Sequence, residues 1–454
     1  MIKLIYIIFL FGSIFALEEQ KRLILIGLDG FSYDYWSKIE KKHNLPNLRH
    51  FINKGVFGRV NNIYQTKTFP SMISIVTGLY SENHGIYGQN FYDYAKKTEY
   101  YFNKTDSTFN GAYLKNIQPI WSLVENGPIN RTIPFHSDDK SAVFEWISGS
   151  KLGHNDVNHH GYPASYYQVY NKTSSFSEKL GKLISMMEKN KNITLGVLYH
   201  NQPDYDGHIY GPYTDQVYNQ IVSIDNGLYQ LNEKLNSNLN DVNLIITSDH
   251  GMTMVKQNCS VDLHKVLKDY VDKVKFYGND VLVGIESNDD KELVVIFDLL
   301  QKETNLTVYY KNHFPSKYHY KNSHRVSRMF VLANYGCLLN TKDPPNNEKG
   351  NHGYKPENKD MNPIFIGYGK YFRRSFKPDK PIRQIDIYEL MCDILGIIPD
   401  KNDGDLKYII HVSQQNESLL FLVFILSLIG VFLVILIGTY ILLSRRRHYS
   451  NVNM

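Results

Sequence analysis

Residues 22–30 read RLILIGLDG, a run of Leu and Ile that stops at an acidic residue. A strand with one wet face alternates apolar and polar residues; this stretch barely alternates and so reads as a strand covered on both faces. Two further stretches repeat the pattern, NITLGVLYHNQPD at 192–204 and VNLIITSDHG at 242–251. Helical spacing of apolar residues lies between them, at 71–79, 176–189 and 214–235. Strand and helix alternating over this length imply an α/β fold, a mostly parallel sheet with helices on both faces. No internal repeat interrupts the order.

The chain ends read differently from the middle. Residues 1–16 carry one early lysine, a short apolar run and a small residue before a polar break, the pattern of a secretory signal. Residues 419–443 form an uncharged apolar stretch longer than the roughly 20 residues a membrane span needs, and Arg445, Arg446 and Arg447 follow it. The positive-inside tendency makes 444–454 cytoplasmic, so the chain reads as a single-pass type I cell-membrane protein with its body, 17–399, outside and a polar stalk at 400–418. Seven Asn-x-Ser/Thr sequons, at Asn103, Asn130, Asn171, Asn192, Asn258, Asn305 and Asn416, suit that compartment. Of three cysteines, Cys392 sits in an apolar helical pattern and is expected as a buried free thiol, which leaves Cys259 and Cys337 to pair. A net charge of +5 over 454 residues, with no basic run interleaved with aromatics, gives no footprint for a nucleic-acid polymer.

The chemistry gathers where the strands stop. Asp29, Asp204 and Asp249 each follow one of the three apolar runs, and in open α/β sheets ligands bind outside the carboxyl ends of the strands. A lone Asp there is ordinarily a helix cap or a turn residue. Here His208 follows Asp204 by four residues, His250 follows Asp249 directly, and a third loop, GNHGY, brings His352. Carboxylate and imidazole together are ligands for zinc-type ions, and acids so dense would repel one another without a cation. The set is large enough for two ions, which at about 4 Å apart clamp the attacking and departing oxygens of phosphoryl transfer. Thr68, in YQTKTFPSMISIVTGLY at 64–80, stands where a helix begins. As a plain N-cap it needs no further role; as a hydroxyl at an anion-binding helix N-terminus it has the place of a nucleophile. His159, His160, His264, His319 and His324 lack the strand-end setting and read as surface residues.

Taken together, LIGLDGF, TKTFPSMISIVTGLYSENHGI, QPDYDGHIYGP, SDHGM and GNHGY resemble the metal and nucleophile motifs of the ectonucleotide pyrophosphatase/phosphodiesterases, in the alkaline phosphatase superfamily. The resemblance runs from about residue 21 to 399 and is closest to the short, single-domain, membrane-anchored members. It implies an alkaline-phosphatase-like sheet and two zinc ions, one on Asp29, Thr68, Asp249 and His250, the other on Asp204, His208 and His352. It makes Thr68 the nucleophile of a covalent phospho-threonine intermediate. It places Phe69 and Tyr170 around a nucleobase, and gives the phosphate-holding Asn of the family to Asn90, one residue beyond Gln89. Lys67 offers a cation to the phosphates, or is a solvated lysine.

The implied activity is extracellular hydrolysis of nucleotide phosphoanhydrides or diesters, among them ATP, dinucleoside polyphosphates and NAD, to a nucleoside 5'-monophosphate. A choline-lipid phosphodiesterase is the alternative within the same chemistry. A catalytically inactive surface binding protein is the alternative of another class; a packed ring of carboxylates that repel without metal gives such a module little.

Overall fold

The computed structural model describes residues 21–101, 117–128, 138–147, 163–256, 258–341 and 347–414, with isolated positions between 425 and 439. Its central sheet has eight strands, β1 (Arg22–Leu28), β2 (Val56–Asn61), β3 (Lys140–Phe144), β4 (Tyr166–Gln168), β5 (Ile193–His200), β6 (Val242–Thr247), β7 (Ile364–Tyr368) and β8 (Ile382–Arg383). They lie in the order β8-β2-β7-β6-β1-β5-β3-β4. Strand β7 runs antiparallel to both its neighbours, and the other pairings are parallel. The three apolar runs thus form the adjacent strands β6, β1 and β5, as the lack of alternation predicts.

All seven residues of β1 are buried, and they serve two cores. Leu23 and Leu25 face helices α1 (Thr68–Thr77) and α5 (Asp386–Leu395), while Ile24, Ile26 and Leu28 face α2 (Phe176–Lys189) and α4 (Asp215–Leu235). Between α2 and α4 in sequence stands the short α3 (Asp204–Tyr210). Helix α2 starts at its expected residue because Ser175 and Glu178 form a reciprocal capping box. The helix expected at 71–79 differs. It begins at Thr68, Lys67 takes the cap position with no side-chain hydrogen bond, and Gly78 ends it in a left-handed conformation. Thr68 is therefore not the cap, and its hydroxyl is left for another use.

A second sheet, not separated from the first by sequence patterning, covers one side of the molecule. Its four strands pair antiparallel in the order Val274–Asn279, Leu282–Ser287, Met329–Ala333, Leu306–Tyr310. One face (Val283, Ile285, Val331) packs on helix Asp290–Leu300; the other (Leu282, Phe330, Leu332) meets an aromatic cluster with Tyr64, Phe69, Tyr87 and Phe91. Cys259 and Cys337 are bonded and Cys392 is a buried free thiol, as expected.

The expected stalk at 400–418 needs correction, because its first part belongs to the domain. The Asp403 carboxylate accepts from the Tyr80 backbone N–H at 2.8 Å and from Asn83 Nδ2, Ile409 and Val412 are 0% exposed in the α1/α5 core, and Gln414 N–H donates to Tyr371 O at 2.9 Å. Its mostly polar composition hid two buried anchors. The signal at 1–16, the tail at 444–454 and the sequons at Asn103, Asn130 and Asn416 lie outside the described residues; Asn171, Asn192 and Asn258 are exposed and Asn305 is half-buried. The stretch 419–443 also lies outside them apart from isolated positions, and among the described residues no helix is long and apolar enough to cross a membrane.

Fully burying an aliphatic side chain contributes about 1.5 to 3 kcal/mol. A chain cut after residue 399 loses two such anchors and should melt well below one cut after residue 414, by about 3 to 6 kcal/mol in denaturant titration. Equal stability of the two truncations would contradict the docking.

Candidate functional site

The carboxyl ends of β1, β5 and β6 meet at one point. Asp29 follows β1, and its backbone N–H donates to His200 O, the last residue of β5, at 2.8 Å; the Asp204 N–H in turn donates to Asp29 O at 3.0 Å. Gly30, at φ +67°, makes this approach possible, since a Cβ there would stand 2.8 Å from the Asp204 Cα. The Gly30 N–H also donates to Asp249 Oδ1 at 3.1 Å, which draws the third acid in. The one-turn spacing of α3 then sets Asp204 and His208 on the same face, with His208 Nε2 3.5 Å from Asp204 Oδ2.

All seven ligand positions expected from the sequence are brought together. His250 Nε2 lies 3.3 Å from Asp29 Oδ1, 3.3 Å from Asp249 Oδ2 and 3.2 Å from Thr68 Oγ1. His352 Nε2 is 3.6 Å from Asp204 Oδ1, and its ring stacks on His250 at 3.5 Å between centroids. Two groups of ligand atoms fall within 4.8 Å of one another, Asp204 with His208 and His352, and Asp204 with Asp29 and His250. Asp204 stands between the groups and reaches both.

Two features show that this cluster fits metal ions. The first is histidine orientation: Nδ1 faces Gly251 O in His250 (2.9 Å), Thr66 O in His352 (2.9 Å) and Gly350 O in His208 (3.0 Å). An imidazole that donates from Nδ1 turns a bare Nε2 inward, the arrangement of metal-bound histidines. The second is unmet demand. Asp29 Oδ1, Asp204 Oδ1 and Asp249 Oδ2 are buried and have no hydrogen-bond partner. Leaving a buried acceptor unmatched is costly, and a cation is what three such oxygens would share.

The electrostatics agree at Asp29, Asp204 and His352, and differ at His208. Burial, followed by the Asp249 and Asp204 charges, pushes the Asp29 carboxyl well above its ordinary range, and burial also raises Asp204. Burial, with His250 and Lys67 adding to it, pulls His352 well below the usual imidazole range. For His208, burial pulls downward, but Asp204 and Glu348 outweigh it and hold the ring at about 9. Burial lowers the Lys67 ammonium, against the pull of Asp280, Glu348 and Asp204.

A cavity of about 490 Å³ opens from the Asp204, His208 and His352 side and runs beneath the second sheet. Thr68, Lys67, Phe69, Gln89 and Asn90 line it, so four of the five expected catalytic and substrate residues meet there. Phe69 is largely buried in the aromatic cluster, and Asn90 Oδ1 accepts from the Gly278 N–H at 2.8 Å. Tyr170 is apart from them. It is 50% exposed, is not among the residues lining this cavity, and sits 6.3 Å from Tyr199, whose hydroxyl donates to Asp29 Oδ2. His84, within SENHGI, is structural: it contacts Ser74 Oγ at 3.1 Å, and burial lowers it to about 3. His264 and His324 are exposed and His319 stacks on Tyr80, while His159 and His160 lie outside the described residues.

Sequence reasoning missed Tyr199, Glu348, Asn351 and Asp280. Tyr199 had a signal, a lone aromatic near the end of a buried strand five residues before Asp204. The other three acquire meaning only from partners distant in sequence.

The family model for Type I phosphodiesterase / nucleotide pyrophosphatase matches residues 23–355. The bis(5'-adenosyl)-triphosphatase enpp4 of Mus musculus is 30% identical over 399 residues, covering 86% of this chain and 81% of its own. The Homo sapiens ectonucleotide pyrophosphatase/phosphodiesterase family member 5 is 30% identical over 400 residues, covering 87% and 78%. Among solved structures, murine ectonucleotide pyrophosphatase / phosphodiesterase 5, inactive and in complex with AMP, aligns with a TM-score of 0.77 at 28% identity, covering 87% of this chain and 100% of that one.

The unmet carboxylates give a thermal test. Adding a divalent transition-metal ion to chelator-stripped chain at about 100 times its Kd should raise stability by about 2.7 kcal/mol, read as a rise in Tm. Asp29→Asn should raise the Tm of the stripped chain and shrink the metal response. No metal-dependent shift in the unaltered chain would rule out the cluster as a metal site.

Proposed function

The chain belongs to the type I phosphodiesterase / nucleotide pyrophosphatase family and is a phosphodiesterase; from that premise we propose that it cleaves nucleotide phosphoanhydrides or diesters outside the cell, with Thr68 as nucleophile and two zinc ions as cofactors. The observation that carries this reading is the position of the Thr68 hydroxyl, at the first turn of α1 and 3.2 Å from His250 Nε2, facing the unmatched carboxylates. The named relatives supply the substrate class: one is a bis(5'-adenosyl)-triphosphatase, and one solved relative holds AMP.

Zinc ions bound by these residues would supply Lewis acidity, lowering the hydroxyl's pKa and offsetting charge on the departing oxygen. Asp29, Asp249 and His250 would form one site with Thr68, and Asp204, His208 and His352 the other. The chain's own part is then positional. Thr68 Oγ1 forms a bond to phosphorus as the bond to the leaving oxygen breaks, giving a phospho-threonine and a protonated leaving group. The start of α1, where Lys67 makes no side-chain cap bond, would turn the positive end of the helix dipole toward the transferring anion. Water then breaks the Oγ1–phosphorus bond and releases the nucleoside 5'-monophosphate. Lys67 and Asn90, which line the cavity beside Thr68, would hold phosphate oxygens, Phe69 of the same lining would meet the base, and the exposed Tyr170 would reach the base only from outside that cavity.

Thr68→Ala should abolish turnover while zinc content and Tm stay near normal, and Thr68→Ser should keep partial activity; near-normal rates in the alanine variant would sink the nucleophile. Substrate choice is tested by comparing kcat/KM for ATP, a diadenosine polyphosphate, NAD, a choline lipid and a small aryl phosphodiester. Tyr170→Ala should weaken nucleotides about tenfold to hundredfold through lost stacking and leave the aryl ester little changed. Preference for the choline lipid would move the assignment to a lipid phosphodiesterase.

The apolar stretch 419–443 and the arginines after it support a type I membrane anchor, with a cleaved signal before residue 17. An antibody against 444–454 should label cells only after permeabilisation; labelling of intact cells would invert the topology.

A further inference from the structure

Of the three histidines in the cluster, His250 and His352 are oriented by backbone carbonyls, from Gly251 and Thr66. His208 also faces a backbone carbonyl, but has a carboxylate beside its Nδ1 that, among the described residues, the other two lack. Its Nδ1 stands 3.0 Å from Gly350 O and also 3.1 Å from Glu348 Oε2. Helix α3, which carries His208, is only seven residues long, and the imidazole is 20% exposed, so its own backbone does little to fix the ring.

The same Glu348 oxygen accepts from Asn351 Nδ2 at 2.7 Å. Asn351 is 0% exposed, and its Oδ1 accepts from the His352 N–H at 2.7 Å and from Lys67 Nζ at 3.3 Å. One carboxylate therefore touches one histidine directly and, through a single buried carboxamide, reaches the backbone of the second and the cation beside Thr68. We propose that Glu348 is the positioning residue of the Asp204, His208 and His352 metal site, and that through Asn351 it couples the build of that site to the placement of Lys67. The inference rests on the two-zinc reading above.

A carboxylate behind a metal-binding histidine fixes which nitrogen is bare and raises its basicity, and losing such a partner weakens metal binding about 10- to 100-fold. Removing Glu348 leaves the Asp29, Asp249 and His250 set untouched. The loss should fall on one ion of the two.

The test is zinc retention by the purified full-length chain titrated with a chromophoric chelator, with kcat and KM for a nucleotide measured across added zinc. Glu348→Ala should give up one ion per chain at about 10- to 100-fold less chelator while holding the other as the wild type does. Its kcat should fall and recover as zinc is added, with KM moving less. Glu348→Gln keeps the size and one acceptor, so it should fold if the alanine variant does not, and it should show a smaller shift in the same direction. A wild type that never holds two ions overturns the two-zinc reading and this inference with it. A wild type holding two, beside a folded Glu348→Ala or Glu348→Gln that holds both at unchanged affinity, overturns this inference alone.

Discussion

The structure turns on three carboxylates forced into one buried crevice. Asp29, Asp204 and Asp249 lie in a setting where burial and mutual repulsion raise Asp29 and Asp204 toward the neutral form. Nothing in their mutual interaction holds them there, because like charges at such separations push apart. The apolar ladder does. Strand β1 is paired along its length with β5 and β6, so three strand ends are fixed side by side, and the sheet and its two cores supply the energy that the acids oppose. The crevice is therefore shaped in advance, and bringing a cation to it relieves an existing strain in charge.

The histidines complete this frame from outside the three strands. His208 arrives on α3 and His352 on the loop after the short strand Gly350–Asn351, which pairs with Thr253–Met254 just beyond His250. That pairing links the Asp249-His250 loop to the loop bearing His352, and the stacked rings follow from it. The cavity then opens away from this cluster, between the main sheet's α1 and the second sheet. Its lining mixes Lys67 and Arg325 with Asp204, Asp280 and Glu348, so both signs of charge stand at fixed places along it.

Much of this could be read from the sequence, for a physical reason in each case. The strands were legible because burial on both faces removes alternation, and the strand-end acids because the sheet topology gives them one common exit. Helix α2 was legible to the residue because Ser175 and Glu178 mark its start chemically. The start of α1 was not, since Lys67 caps it with backbone geometry alone and Pro70 lies inside the first turn. The second sheet escaped because its strands alternate between an aliphatic and an aromatic core, a pattern that a single chain presents as undifferentiated apolar sequence. Asn351 lies within the GNHGY loop and Glu348 just before it, and their partners His208 and Lys67 are brought to them by the fold.

The packing of residues 400–414 has a mechanical consequence. The Gln414 N–H donates to Tyr371 O, and Asp403 ties the same segment to Tyr80 and Asn83 just beyond α1. Ile409 and Val412 lock it into the core that α1 shares with α5. A displacement of this segment is therefore passed to the helix that carries Thr68 directly, without crossing the sheet, and the segment acts as a strut on that helix as well as a cover for its core.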